Sequence, residues 1–472
     1  MSFKPSKYQE QIFEHIKNSS ENAVIEAVAG SGKTTTLIES MKLLSKEKGD
    51  IIFIAFNKHI ADEMKKKVPN GIEVKTMHAF GLEQIKRAYK GAQLDQNKVR
   101  KVIKDLSYVL KLREKQDLQK YIDILYSLVN LFRYNMCDEL NHARRVVSKH
   151  LIPASDSLIL DAFTVIKQMN LRRDIIDFTD MVYIPALEDI KVKEYSLILV
   201  DECQDLSFCQ IQLLLKIKGE GGRIIAVGDR NQSIYGFSGA DDESFKKICE
   251  IPNTMLLPLS ISYRCSKEVV KWAQKIVPNI ESFEGAPDGM VNFDASLDGI
   301  KEGDFVLCRT NSPLISLALQ FLSQGKKVQI KGVDIGQKII KKIEGTRQSN
   351  LSRAIEHLWK EYEISLDEED EDGLSSIYMK DIIVACEKII EGCSTIEDVK
   401  NKVKKLFYED PNEGIIFMTA HKSKGLEADN VHIIMPEMMP LKNVTMEWEK
   451  IQESNLHYVA ITRAKQTLNY IR

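Results

Sequence analysis

Residues 23–37 read AVIEAVAGSGKTTTL. The run AVIEAVAG is rich in β-forming residues and ends in small ones, and a helical stretch opens at about Lys33. Strand, small-residue turn and helix in that order are the setting of a phosphate-binding loop. Small residues let backbone N–H groups approach phosphates, and the helix N-terminus adds partial positive charge. In this frame Ala29, Gly30, Ser31, Gly32, Thr34 and Thr35 line the loop. Lys33 reaches the β- and γ-phosphates, and the Thr34 hydroxyl binds Mg²⁺. Ala27 stands where the general pattern GxxxxGK[ST] has its first glycine.

Further near-continuous apolar runs follow: IIFIAF (51–56), LILVDE (197–202) and RIIAVGD (223–229). Such runs suit strands buried on both faces of a parallel sheet with crossover helices. A second set comprises DFVLCRT (304–310), KKVQIKG (326–332), IIFMTAH (415–421) and VHIIMPE (431–437). Residues 86–171 and 336–411 are instead helix-rich, and the acidic run LDEEDEDG (366–373) reads as a loop. The expectation is two α/β domains, each with a helical insertion. The first covers 1–85 and 172–257, and the second covers 258–335 and 412–472.

At 472 residues the chain is too long for one ordinary domain. No run reaches the roughly 18–20 apolar residues of a membrane span, and the start MSFKPSKYQE has no signal-peptide core. A cytoplasmic protein without membrane contact is expected, bacterial or in host cytoplasm if phage-encoded. The eight cysteines form no CxxC pair, which points to reduced thiols rather than a metal cluster. Net charge is −2. Residues 86–116 nonetheless carry ten Lys/Arg against three Asp/Glu, either a solvated helical face or a nucleic-acid contact.

LILVDECQD (197–205) puts Asp201 at a strand end, where a carboxylate can hold the Mg²⁺ shell. Glu202 beside it can polarise an attacking water. An Asp-Glu pair can also cap the next helix, but the phosphate loop upstream favours the chemical role. Residues 227–241, VGDRNQSIYGFSGAD, place a lone amide, Gln232, just past a strand, with Tyr235 and Phe237 directly after it. Rings in a turn-rich segment are poorly placed for a core.

AGSGKTTTL, DECQD and GDRNQSIYGFSGA resemble motifs I, II and III of superfamily 1 helicases of the UvrD/Rep/PcrA type. KPSKYQEQI, FIAFNKHIADEM, VKTMHAFG, LSISYRCSKEVV, MTAHKSKGLEADNV and LHYVAITRAKQ resemble the remaining motifs in order. The resemblance covers both α/β units and is nearest to compact phage-type members and F-box DNA helicases. It implies two RecA-like P-loop domains with parallel sheets, ATP and Mg²⁺ as cofactors, and single-stranded, tailed or forked duplex DNA as partner. Gln9 would read adenine, Tyr263 would stack on it and Glu427 would hold the ribose. Gln232 would sense the γ-phosphate, and Arg264 and Arg463 would act as arginine fingers from the second domain. Tyr235, Phe237 and Phe56 would contact bases, with Asn57, Thr76, His78, Thr419 and His421 near the DNA strand. The loop after Gln232 would then couple nucleotide to DNA.

Three departures accompany this likeness. Phe237 stands where UvrD-type enzymes usually have Trp, Thr35 where an arginine is common, and the second insertion is short. The leading expectation is an ATP-dependent DNA helicase or translocase moving 3′ to 5′, the direction resting on QSIYGFSGA. The short insertion motivates an alternative: a DNA-stimulated ATPase that strips proteins from DNA or serves a protein partner, with little unwinding of its own. A plain P-loop phosphotransferase would lack the arginine fingers and aromatic loop, and no acidic nuclease constellation follows the last motif.

Overall fold

The computed structural model describes residues 3–44, 50–112, 117–234, 243–348, 350–366, 374–407, 414–442 and 444–472. The acidic run at 367–373 and the rings Tyr235 and Phe237 lie outside them. The chain forms two compact units. Unit 1 is Met1–Ala27 with Gly32–Leu259, and unit 2 is Val28–Ser31 with Ser260–Arg472.

Unit 1 is built on β1 (Asn22–Ala27), β2 (Ile51–Ala55), β3 (Ile72–Thr76), β4 (Tyr195–Val200), β5 (Lys218–Gly228) and β6 (Thr254–Leu259). The order across the sheet is β3-β2-β4-β5-β1-β6, and every pairing is parallel. Alternate residues of the strands enter different cores, as the period of two requires. Val24, Ile52, Ile54, Ile198, Val200 and Ile224 join one cluster, and Ile25, Phe53, Leu199, Ile225 and Val227 join another. The helices Lys7–Asn18 and Lys33–Leu44 cover the second through Ile12, Ile16, Leu37 and Met41. Register sets Ile25 beside Val227 and Val200 beside Ala226, so β1, β4 and β5 end side by side. Ligands of open α/β sheets bind outside such carboxyl ends.

Helices Lys98–Asp105, Leu118–Tyr134, Leu140–Lys149 and Asp156–Leu171 have a core of their own around Val102, Leu128, Phe132, Ala143, Ile159 and Val165. Where they meet the chain returning to the sheet, four charges are buried together. Lys98 reaches Asp180 at 2.7 Å, and Arg133 reaches Asp177 at 2.8 Å and Asp180 at 3.0 Å. The two cations match the two anions, the condition under which buried charge is tolerated.

Unit 2 carries β7 (Met290–Asn292), β8 (Phe305–Cys308), β9 (Val328–Ile330), β10 (Ile415–Thr419), β11 (Ala428–Ile434) and β12 (Ala464–Ile471). Its sheet is also wholly parallel, in the order β7-β12-β11-β8-β10-β9. Helices Val333–Gly345, Leu351–Leu366, Leu374–Ile390 and Ile396–Phe407 pack their apolar faces into the same core as Val306, Phe417 and Ile330. Asp381 ties the Leu374–Ile390 helix to the start of the helix Ser312–Ser323. Its carboxylate accepts the backbone N–H of Asn311 at 2.9 Å and of Ser312 at 2.8 Å, capping the helix that starts there. No described helix is long and apolar enough to cross a membrane.

Candidate functional site

The ends of β4 and β5 and the start of the Lys33 helix bring one cation and several carboxylates together. Lys33 Nζ lies 2.9 Å from Glu202 Oε1. Burial works to lower the ammonium pKa, but Glu202, Asp229 and Asp201 together hold it above the usual lysine value. Burial, and then the neighbouring Glu202, pushes the Asp201 carboxyl well above the ordinary carboxylate range. Burial raises Asp229 to about 6 against the pull of Lys33. The site therefore carries more potential negative charge than Lys33 balances, and added positive charge would ionise it fully.

Gln204 and Gln232 organise these acids. Gln204 donates to Glu202 at 2.6 Å and accepts the Asp229 backbone N–H at 3.0 Å. Gln232 donates to Asp229 at 2.6 Å. Gly228 leaves the room for this: a Cβ there would sit 2.5 Å from Gln204 Oε1 and 2.7 Å from Cys203 Sγ. Glu202 adopts a left-handed backbone, φ 50° and ψ 47°, which is uncommon for a side chain of its size. The strained turn sets Glu202 against Lys33 while Asp201 continues the line of β4.

Mg²⁺ takes one or two carboxylates, waters and substrate phosphates rather than a protein cage. The residues fit that pattern. No group of three or more acidic, His or Cys ligands for a metal occurs among the described residues. The Asp201 carboxylate accepts one hydrogen bond among them, from the Glu202 N–H at 3.0 Å. Half-buried Thr34 stands in the first turn of its helix. In the phosphate loop, buried Ser31 Oγ has no hydrogen-bond partner among the described residues, which leaves it free to donate to an anion.

Gln9 is 3% exposed and already engaged at both ends of its amide. It closes a capping box with Ser6, and its Nε2 donates to Thr36 at 3.0 Å. Thr35 is exposed.

Within unit 2, the segment Val28–Ser31 is held by hydrogen bonds through its backbone, one of them to a side-chain hydroxyl. The Tyr263 N–H donates to Gly30 O at 2.9 Å, and the Ala29 N–H donates to Tyr458 Oη at 3.0 Å. Gly30 has φ +72°, and a Cβ on it would meet Arg264 Cβ at 2.5 Å. Arg264 pairs with Glu427 at 2.6 Å, and Lys465 reaches the same carboxylate at 3.4 Å. Tyr263 is 43% exposed, its ring 5.1 Å from that of Phe283.

Arg463 is 1% exposed. Its bonds among the described residues go to neutral groups: Val459 O at 2.8 Å, Leu426 O at 3.1 Å and Thr462 Oγ1 at 3.1 Å. Burial, and then Arg264, lowers its pKa to about 10. A buried guanidinium without a close carboxylate is costly unless an anion joins it.

In unit 1 the residues singled out for a DNA strand lie at the neighbouring ends of β2 and β3, where Ala55 pairs with Thr76. Phe56 is 44% exposed just past β2. Asn57 and Thr76 serve as helix caps, accepting the N–H of Ile60 at 2.9 Å and of Ala79 at 3.1 Å. His78 stacks on Phe178 with centroids 4.2 Å apart, and its buried Nε2 has no partner among the described residues. Burial lowers the His78 pKa to about 4, so the ring is neutral near pH 7. Thr419 closes β10 and is buried. His421 follows it, its pKa lowered to about 3 by burial and by Arg309.

Three participants escaped the sequence reading. Asp229 was visible as the acid ending RIIAVGD, and Gln204 as the amide inside DECQD. Tyr458 gave no local signal, because its partner Ala29 lies 429 positions away.

Residues 7–250 match the UvrD/REP helicase N-terminal domain family, and residues 335–471 match the UvrD-like helicase C-terminal domain family. F-box DNA helicase protein 1 of Schizosaccharomyces pombe is 26% identical over 507 residues, covering 98% of this chain and 56% of that protein. ATP-dependent DNA helicase Rep of Buchnera aphidicola is 28% identical over 278 residues, 54% of this chain and 43% of that one. ATP-dependent DNA helicase PcrA of Bacillus subtilis is 24% identical over 291 residues, 56% of this chain and 39% of that one. The chain spans about half the length of these curated relatives. The match to the N-terminal family over more than half of the chain, with the C-terminal family following it, shows that the chain belongs to the UvrD-like helicases.

Proposed function

We propose that this chain is an ATP-dependent DNA helicase or translocase that moves 3′ to 5′ along a single strand and opens tailed or forked duplex. The observation that carries the reading is the cluster of Lys33 with Glu202, Asp201 and Asp229, tied together by Gln204 and Gln232. Family membership supplies the reaction class, since relatives are named ATP-dependent DNA helicases.

In this reading the phosphate loop, Ser31 included, holds the phosphates, and Lys33 exchanges Glu202 for the β- and γ-phosphates. Thr34 and Asp201 would hold Mg²⁺, which neutralises charge on the phosphate oxygens. Glu202, released from Lys33, accepts the proton of the attacking water. Gln232 reports the γ-phosphate through Asp229. Arg264 and Arg463 supply positive charge to the transferring phosphoryl group, Tyr263 stacks on the adenine, Glu427 takes the ribose and Gln9 the adenine edge. Phe56, Tyr235 and Phe237 stack on bases, while Asn57, Thr76, His78, Thr419 and His421 lie along the strand. The helical stretches 86–171 and 336–411 are insertions in the two motor domains.

Duplexes carrying a single-stranded tail at only one end type test direction and unwinding together. Opening of 3′-tailed but not 5′-tailed duplex with ATP is expected. Opening of 5′-tailed duplex alone would contradict the direction, and displacement of bound protein without duplex opening would favour a remodelling role.

A further inference from the structure

The turn after the Lys98–Asp105 helix exposes a side chain that the fold does not use. Tyr108 is 94% exposed and Val109 61%. Isolated exposed apolar residues are common and need no explanation. This one differs in how firmly it is presented. Leu110 and Leu112 on the same turn are buried at 2% and 7% in the helical core. The Leu110, Lys111 and Leu112 N–H groups donate to Leu106, Tyr108 and Ser107 carbonyls at 2.9, 3.1 and 3.0 Å. Lys111 accepts a left-handed backbone, φ 48°, to close the turn. The ring is thus held out by a bonded, anchored turn.

Paired and unpaired charges flank it in the sequence. Arg100, Lys101 and Arg172 on neighbouring positions are paired with Asp123, Asp95 and Asp105. Lys104 and Lys111, four residues before Tyr108 and three after it, are exposed and have no ion pair among the described residues. An exposed planar ring flanked in the sequence by two exposed lysines suits an unpaired base with phosphates beside it.

We propose that Tyr108, Lys104 and Lys111 form a contact for single-stranded DNA on the first helical insertion, the ring stacking on a base and the lysines holding adjacent phosphates. The inference rests on the reading of the chain as a DNA motor. It adds a strand contact outside the sequence motifs.

The test is binding of labelled oligothymidylate and of blunt duplex across a salt series. The proteins are wild type, Tyr108→Ala, Tyr108→Trp and the Lys104→Ala/Lys111→Ala double variant. Because Tyr108 is exposed, its variants should melt with wild type. Tyr108→Ala should bind oligothymidylate about tenfold more weakly with an unchanged salt slope, and Tyr108→Trp should restore affinity. The double lysine variant should flatten the slope of log K against log salt by about 1.4. If wild type binds oligothymidylate and Tyr108→Ala binds it equally well, or loses only duplex affinity, the proposal is overturned and the motor reading stands. If wild type binds no DNA and its ATP turnover ignores DNA, both fall.

Discussion

Lys33 and Glu202 are joined through both carboxylate oxygens, Nζ lying 2.9 Å from Oε1 and 3.1 Å from Oε2. The lysine expected to hold phosphate thus rests on the carboxylate expected to activate water. In the proposed reaction a bound triphosphate would draw Lys33 away from Glu202. On that proposal Glu202 would act as a base only when nucleotide is present.

Separating the two roles gives the first expectation. Glu202→Gln should keep nucleotide binding while lowering kcat by about 10²–10⁴. Lys33→Ala should lose both, read as nucleotide affinity by fluorescence and turnover by phosphate release. Equal loss of affinity in the two variants would contradict the assignment.

Asp229 makes stability depend on pH. Burial lifts its folded pKa to about 6, above the ordinary aspartate value of 3.8. A raised carboxyl pKa means the folded state holds the proton more tightly. The resulting stabilisation is complete below about pH 4 and is lost as pH rises through about 6. Asp229→Asn should therefore match wild type near pH 4 and exceed it above pH 7 without nucleotide, by roughly 1–3 kcal/mol. Thermal melts across that range check it, and a gain on the acid side would contradict the sign.

Arg463 should matter more for the reaction than for holding nucleotide. Arg463→Ala is expected to cut kcat by about 10³ or more while changing ATP affinity far less. Comparable losses in both would make it an ordinary binding residue.

The buried four-charge group answers to stability alone. Arg133→Met leaves Asp177 and Asp180 with Lys98 as the remaining cation and should cost about 3–5 kcal/mol. Exposed Arg144, paired with Asp156, should leave stability nearly unchanged when replaced by Ala. Urea titrations of the two variants distinguish the cases.

The parallel sheets were legible because strands buried on both faces must be apolar throughout, as IIFIA of β2 is. Strands with a wet face were not. β3, IEVKT, has one fully buried residue among five, and β6 sits at a sheet edge with Met255 and Leu256 exposed. The first half of β12, AKQT, has one buried residue in four before its buried end. At the site, Lys33, Asp201, Glu202 and Gln232 could be read because each follows a strand or opens a helix. The long-range partners could not: Asp381 on Asn311 and Tyr458 on Ala29 join segments that no local pattern connects.

The central claim is that this is an ATPase whose turnover serves DNA. Phosphate release from ATP, with and without single-stranded DNA, compared between wild type and Glu202→Gln, tests it most directly. The expected result is strong stimulation of wild type by DNA and its loss in Glu202→Gln. Turnover that is unchanged by DNA, or that survives the Glu202 substitution, would contradict it.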